Sequence, residues 1–182
     1  KAHEAIHAFK QLIQINGSDL NAHILLVNLL LQTNQVKEAE DALKKIISFY
    51  PNDLDLKCLM ERIKFKNGDR QSAIKFIRDT LNSNPADALT YLKLGNFCIE
   101  IENHTTAIEL LEKYLEISPD NADVIANIAT CYAKLGRLES AIIGLRAALK
   151  LDPACHHASQ NLITVEKRFK NQPNPSLKAG VR

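Results

Sequence analysis

Apolar residues between positions 88 and 121 recur at the spacing of an amphipathic helix, in two runs. Tyr91, Leu94 and Cys98 mark one face of the first run, and Ala107 and Leu111 mark one face of the second. A polar break at 102–104 separates the runs, and a proline follows the second, where a helix cannot readily continue. The pattern predicts two antiparallel helices joined by a tight turn.

This two-helix pattern returns every 34 residues along the chain. A proline ends each copy, and an alanine stands in each second helix. The prolines are Pro51, Pro85, Pro119 and Pro153, and the alanines are Ala5, Ala39, Ala73, Ala107 and Ala141. A fixed period of this length is typical of a stacked array, because one helix pair cannot bury its apolar face alone. We therefore predict an all-α solenoid of antiparallel helix pairs.

The period divides the chain into an array over residues 1–170 and a tail. We expect a half repeat at 1–19, full repeats at 20–53, 54–87, 88–121 and 122–155, and a C-terminal capping helix at 155–170. Residues 171–182 hold two prolines and few apolar residues, which predicts a disordered tail. Because the chain begins inside a helical pattern, we also expect it to be a fragment of a longer protein.

The repeat at 54–87 departs from the pattern in its first helix. Glu61 and Lys64 stand where the other repeats carry small or apolar residues. Burying either charge without a partner is costly. We therefore expect this helix to be shifted, or the charged ends of the two side chains to reach solvent.

The repeat at 88–121 most closely resembles the tetratricopeptide repeat, whose pattern is W-x2-L-G-x2-Y, then A-x3-F, then P. The matching positions are Tyr91, Leu94, Gly95, Cys98, Ala107, Leu111 and Pro119. The resemblance extends over about residues 1–170. It implies a right-handed superhelical solenoid whose first helices line a concave groove, with a partner lying there as an extended peptide or a helix.

The resemblance also implies which residues line that groove, since they stand two, five or nine places after the family's tryptophan position. The candidates are Asn28, Arg62, Lys66, Lys93, Asn96, Asn127, Lys134 and Asn161. Amides can pair with a peptide backbone of any sequence, and the basic residues can hold a carboxylate or an acidic peptide. The alternative interpretation is solvated helix surface, and Glu100 weakens the basic patch.

Composition narrows the class of function. The net charge is only +2, so no global field favours nucleic acid or a membrane surface, and no apolar run approaches the ~18 residues of a membrane span. No glycine-rich phosphate loop, HExxH or GxSxG motif is present, so we expect no catalytic residue, metal or cofactor. The four cysteines form no CxxC pair, which favours buried free thiols and a reducing, cytoplasmic location.

We therefore predict a non-catalytic protein-interaction scaffold that binds a peptide or helical segment and spans no membrane. A first alternative is the substrate-recruiting arm of a larger enzyme, such as a glycosyltransferase. A second is a self-assembling homo-oligomer, in which an exposed face carrying Ile6 and Phe9 pairs with another copy. Nucleic acid is not an expected partner, because Arg62, Lys66 and Arg70 have little aromatic company for stacking on bases.

Overall fold

The computed structural model describes residues 2–83, 85 and 87–171. This part of the chain contains ten α-helices and no β-strand. The helices are α1 (Ala2–Ile15), α2 (Leu20–Gln32), α3 (Val36–Ile47), α4 (Leu54–Lys66), α5 (Arg70–Asn82), α6 (Ala88–Glu100), α7 (His104–Ile117), α8 (Ala122–Lys134), α9 (Leu138–Leu151) and α10 (His156–Lys170). The all-α fold predicted from the apolar period is confirmed. Apart from Asn171, the expected tail lies outside the described residues.

The helices keep the 34-residue period at their first residues. The helices α2, α4, α6 and α8 begin at positions 20, 54, 88 and 122, and the helices α3, α5, α7 and α9 begin at 36, 70, 104 and 138. The expectation that α4 is shifted is therefore wrong, because it begins and ends in register with the other first helices. The irregular residues of this repeat are accommodated by side-chain packing instead.

Two local features recur with the same period and set this register. A side-chain oxygen at the N-cap of each first helix accepts a backbone N–H bond of 2.8 to 3.1 Å from the residue three places on. These caps are Asp19, Asp53, Asp87 and Asn121. Each turn between paired helices also contains one residue with positive φ. These residues are Asn34, Gly68, Glu102 and Gly136. An N-cap bond of this kind stabilises a helix by about 1 kcal/mol.

The structure divides between Ile101 and Glu102 into two compact units, so the boundary falls inside the predicted repeat 88–121. The unit before it holds α1 to α6 around a core of leucine, isoleucine and valine, including Leu30 and Leu43. The unit after it holds α7 to α10, and small residues dominate its core. These include Ala122, Ala126, Ala129, Ala133, Ala141, Ala148 and Ala158.

Glu61, in α4, is buried with only 8% of its surface exposed, and two side chains satisfy its carboxylate. Ser72 Oγ, on α5, donates to Oε2 at 2.5 Å, and Lys64 Nζ donates to Oε1 at 2.6 Å. Lys64 itself remains partly exposed, as the sequence led us to expect for its charged end. The cost of burying the carboxylate is therefore offset by an ion pair and a hydroxyl donor within the same repeat.

Candidate functional site

Three first helices of the unit before residue 102 meet along a cleft of about 180 Å³. The cleft lies between α2, α4 and α6. Its lining residues are Ile24, Asn28, Asp55, Cys58, Leu59, Arg62, Lys93, Asn96, Phe97 and Glu100. Four of the predicted groove residues, Asn28, Arg62, Lys93 and Asn96, are thus brought together. They meet because equivalent places on successive first helices recur every 34 residues and face the same side.

The charged side chains of the cleft are paired with one another. Arg62 Nη1 donates to Asn28 Oδ1 at 3.0 Å and to Glu100 Oε2 at 2.8 Å. Lys93 Nζ donates to Asp55 Oδ2 at 2.8 Å. Two cations and two anions therefore balance within the cleft, which differs from the open basic patch that the sequence suggested.

Cys58 lies in this cleft as a thiol rather than a thiolate. Burial, then the charges of Asp55 and Glu100, raise its pKa to about 12, and Lys93 only partly opposes this. A protonated thiol is a poor nucleophile and a poor metal ligand, so Cys58 contributes packing and polarity rather than reactivity. The four cysteines are free and three of them are buried, which confirms the prediction of buried thiols.

The remaining candidates occupy other places. Asn161 Nδ2, on α10, donates to Thr130 Oγ1 at 2.9 Å and lies 3.3 Å from His157 Nε2. Asn127 is half-buried on α8. Lys66 and Lys134 are exposed at the last residues of α4 and α8, and Lys66 does not line the cleft.

Sequence analysis missed Asp55 as a cleft residue and treated Glu100 only as a weakening charge. Both belong to ion pairs that span 38 residues, Asp55–Lys93 and Arg62–Glu100. This separation is one repeat plus about one helical turn, so the two side chains face each other across neighbouring first helices. Searching the sequence for opposite charges at that separation would have found both pairs.

Two apolar depressions lie outside the cleft. One, of about 330 Å³, is lined by α1, α2 and α3 and includes Ile13, Leu26 and Leu30. The other, of about 360 Å³, is lined by α9 and α10 and includes Ile143 and Phe169. The predicted exposed face on α1 is wrong, since Ile6 is 5% exposed and belongs to the core.

Two further classes of site were searched for within the described ranges. There, no three His, Cys, Asp or Glu side chains are grouped as a metal ion would require. No helix in those ranges is both long and apolar enough to cross a membrane.

Two family models, both described as tetratricopeptide repeat, match the chain. One matches residues 1–63 and 102–164, and the other matches residues 62–122. Among curated proteins, sperm-associated antigen 1 of Mus musculus is 30% identical over 107 residues, which are 59% of this chain and 12% of the mouse protein. The chain therefore spans only a small part of that relative.

Two solved structures share the fold. TTC0263, a thermophilic TPR protein of Thermus thermophilus, has a TM-score of 0.69 and 19% identity, with 90% of each chain covered. YrrB, described as a TPR protein with an unusual peptide-binding site, has a TM-score of 0.51 and 19% identity, covering 91% of this chain and 85% of its own. Identities this low establish similarity of fold alone.

Proposed function

This chain belongs to the tetratricopeptide repeat family, and on that premise we propose that it binds a peptide or helical segment of another protein in the α2–α4–α6 cleft. Repeats of this family serve as protein-interaction scaffolds, and the chain has the helix pairs that such a scaffold needs. The proposal concerns this repeat array and not whatever longer protein contains it.

The observation that carries the proposal is the composition of the cleft. Leu59 and Phe97 form an apolar floor, while Asn28, Asn96 and Lys93 supply hydrogen-bonding groups around it. An apolar surface with a few placed polar groups is the usual arrangement of a ligand site. A bound segment can bury apolar side chains against the floor while its backbone pairs with the amides.

The balance of charge inside the cleft determines which ligands fit without rearrangement. Arg62 and Lys93 are already paired with Glu100 and Asp55, so the cleft presents no net charge from these four groups. Its resting form therefore suits a segment recognised mainly through its backbone and apolar side chains. The description of YrrB as a peptide-binding protein supports a peptide ligand for a chain of this fold.

A selection of displayed random peptides against the chain, followed by affinity measurement of the selected peptides, tests this proposal. Lys93→Glu should weaken binding about tenfold, roughly 1.4 kcal/mol, because it breaks the pair with Asp55 and places two acids side by side. Lys44→Glu is the matched control, since Lys44 pairs with Glu40 on α3, outside the cleft. Equal effects of the two substitutions would reject the cleft as the binding site.

A second candidate function is self-association through the depression between α9 and α10. Ile143 is 70% exposed there, beside Phe169. Large exposed apolar residues rimmed by charge are typical of interaction surfaces. Sedimentation should then show a dimer that Ile143→Glu abolishes, and a purely monomeric chain at high concentration would dismiss this candidate.

A further inference from the structure

One ion pair in the cleft joins a well-held cation to a more exposed anion. The Arg62 side chain is only 13% exposed, and Asn28 holds it from α2. The Glu100 side chain is 45% exposed and contacts the same Arg62 nitrogen at 2.8 Å. If one partner leaves this pair, it is therefore Glu100, while Arg62 stays at the wall of the cleft.

The position of Glu100 on its helix also favours its departure. Glu100 is the last residue of α6, where the helix dipole presents partial negative charge and disfavours an anion. Asp55, the anion of the other cleft pair, lies in the first turn of α4, where the dipole favours it. The two pairs thus differ in that only the Arg62 pair is opposed by the helix that carries its acid.

A ligand carboxylate can replace Glu100 without changing the chemistry of the contact. Arginine carries five N–H donors arranged in a fork that matches a carboxylate, so a ligand can bind while Asn28 keeps its own bond. The exchange substitutes one charge-assisted hydrogen bond for another. It also releases Glu100 to water and away from the negative end of α6.

We propose that Glu100 is an internal competitor for Arg62, and that the cleft binds carboxylate-bearing peptides by displacing it. The inference rests on the proposed function, because it assigns a ligand class to the same cleft. The carboxylate can belong to an Asp or Glu side chain or to a peptide C-terminus. In both cases, Glu100 lowers the affinity for acidic ligands and sets the threshold for binding them.

An array of random dodecapeptides, each printed with Glu or with Gln at one position, tests the competition directly. Printing every peptide with a free and with an amidated C-terminus separates the two sources of carboxylate. Glu100→Gln should strengthen binding of the acidic versions about three- to tenfold, the range of a partly exposed ion pair, and change the Gln versions less than about twofold. Glu100→Ala, which leaves no acceptor at all, should give at least the same gain.

Glu38→Gln is the matched control, because it removes the same charge from a surface ion pair with Lys10 on α1 and α3, away from the cleft. It should not alter the preference for acidic peptides. If peptides bind but Glu100→Gln improves acidic and amide versions equally, or neither, then the competition is refuted while the binding function stands.

If no peptide binds to any form, the proposed function fails, and acetate then tests the competitor alone. Titration with acetate, followed through the Arg62 side-chain N–H resonances, should give a saturable shift in Glu100→Ala at concentrations that leave the original chain unshifted. Identical titrations in both forms would overturn the inference without reference to any peptide.

Discussion

The repeats α4–α5 and α8–α9 fill the same close crossing of two helices with opposite chemistry. In α8–α9 the crossing is made by Ala129 and Gly144, and a Cβ added at Gly144 would lie 2.8 Å from the Ala129 Cβ. Two periods of 34 residues earlier, the equivalent places hold Glu61 and Phe76. One repeat thus brings its helices together through small residues, and the other inserts a buried carboxylate and an aromatic ring.

Both repeats nevertheless have the same frame. The helices α4 and α8 each contain 13 residues, and the turns that follow carry Gly68 and Gly136 at positive φ. The comparison indicates that caps and turns set the register of these helices, while the residues between the helices can vary widely. A departure from the family pattern at the crossing therefore does not predict a shifted helix.

Gly144→Leu should give the largest effect on this comparison, a loss of about 2 kcal/mol in the free energy of unfolding. The clash of an overpacked crossing, about 1–3 kcal/mol or more, exceeds the gain of up to ~1 kcal/mol in helix propensity. Urea denaturation measures it. Ile143→Leu, at the exposed neighbouring position, should stay within about 0.5 kcal/mol. Equal stability of the two variants would show that α8 and α9 are not in close contact.

Ser72→Ala should destabilise the other repeat by about 1.5 kcal/mol, because the buried Glu61 carboxylate loses a hydroxyl donor. Adding Glu61→Met should recover most of this loss, since both polar partners are then gone. The control is Ser48→Ala, whose hydroxyl contacts only the Lys45 carbonyl at an exposed helix end. A double variant no more stable than Ser72→Ala would mean that Glu61 needs no partner.

Glu102→Gly should stabilise the chain by about 0.5–1 kcal/mol, because Glu102 occupies the left-handed region at φ 59° that glycine adopts without steric cost. Gly136→Ala, at the equivalent turn with φ 80°, should destabilise it by about 1 kcal/mol. Thermal melts of both variants measure the pair. Changes of the same sign would contradict the role assigned to these turns.

The smallest effect concerns the Asp87 cap of α6 and its pH dependence. Hydrogen bonds from the Thr90 hydroxyl and backbone N–H hold the pKa of the Asp87 carboxyl below its usual 3.8. Its stabilising contribution is therefore complete above pH 3.8 and is lost as the pH falls through the lowered pKa. In an NMR titration, Thr90→Val should raise the Asp87 midpoint. Thr80→Val, whose hydroxyl bonds to the Phe76 carbonyl, should leave it unchanged.

The helix frame could be predicted because it depends on local signals that repeat in the sequence. Prolines, buried alanines and turn residues recur every 34 positions, and the helices begin with the same spacing. Even the unexpected positive φ of Glu102 follows from its equivalence to Gly68 and Gly136. Gly144 was overlooked as a close-contact residue, because the equivalent places elsewhere hold Ala42, Phe76 and Leu110.

The candidate site could be predicted only in part. Register correctly brought Asn28, Arg62, Lys93 and Asn96 to one cleft, since the faces of first helices repeat with the chain. It did not predict that Arg62 contacts Glu100, because such a contact depends on the rotamers and relative stagger of neighbouring helices. The burial of Ile6 was missed for a related reason, since packing of α1 against α2 had no sequence marker.

The central claim, that a partner peptide lies on the face of first helices, is tested most directly by NMR shift mapping with one selected peptide. The account predicts the largest changes at Asn28, Arg62 and Lys93, on α2, α4 and α6, with little change along α3 and α5. Changes concentrated on those second helices, with the three cleft residues unmoved, would contradict it.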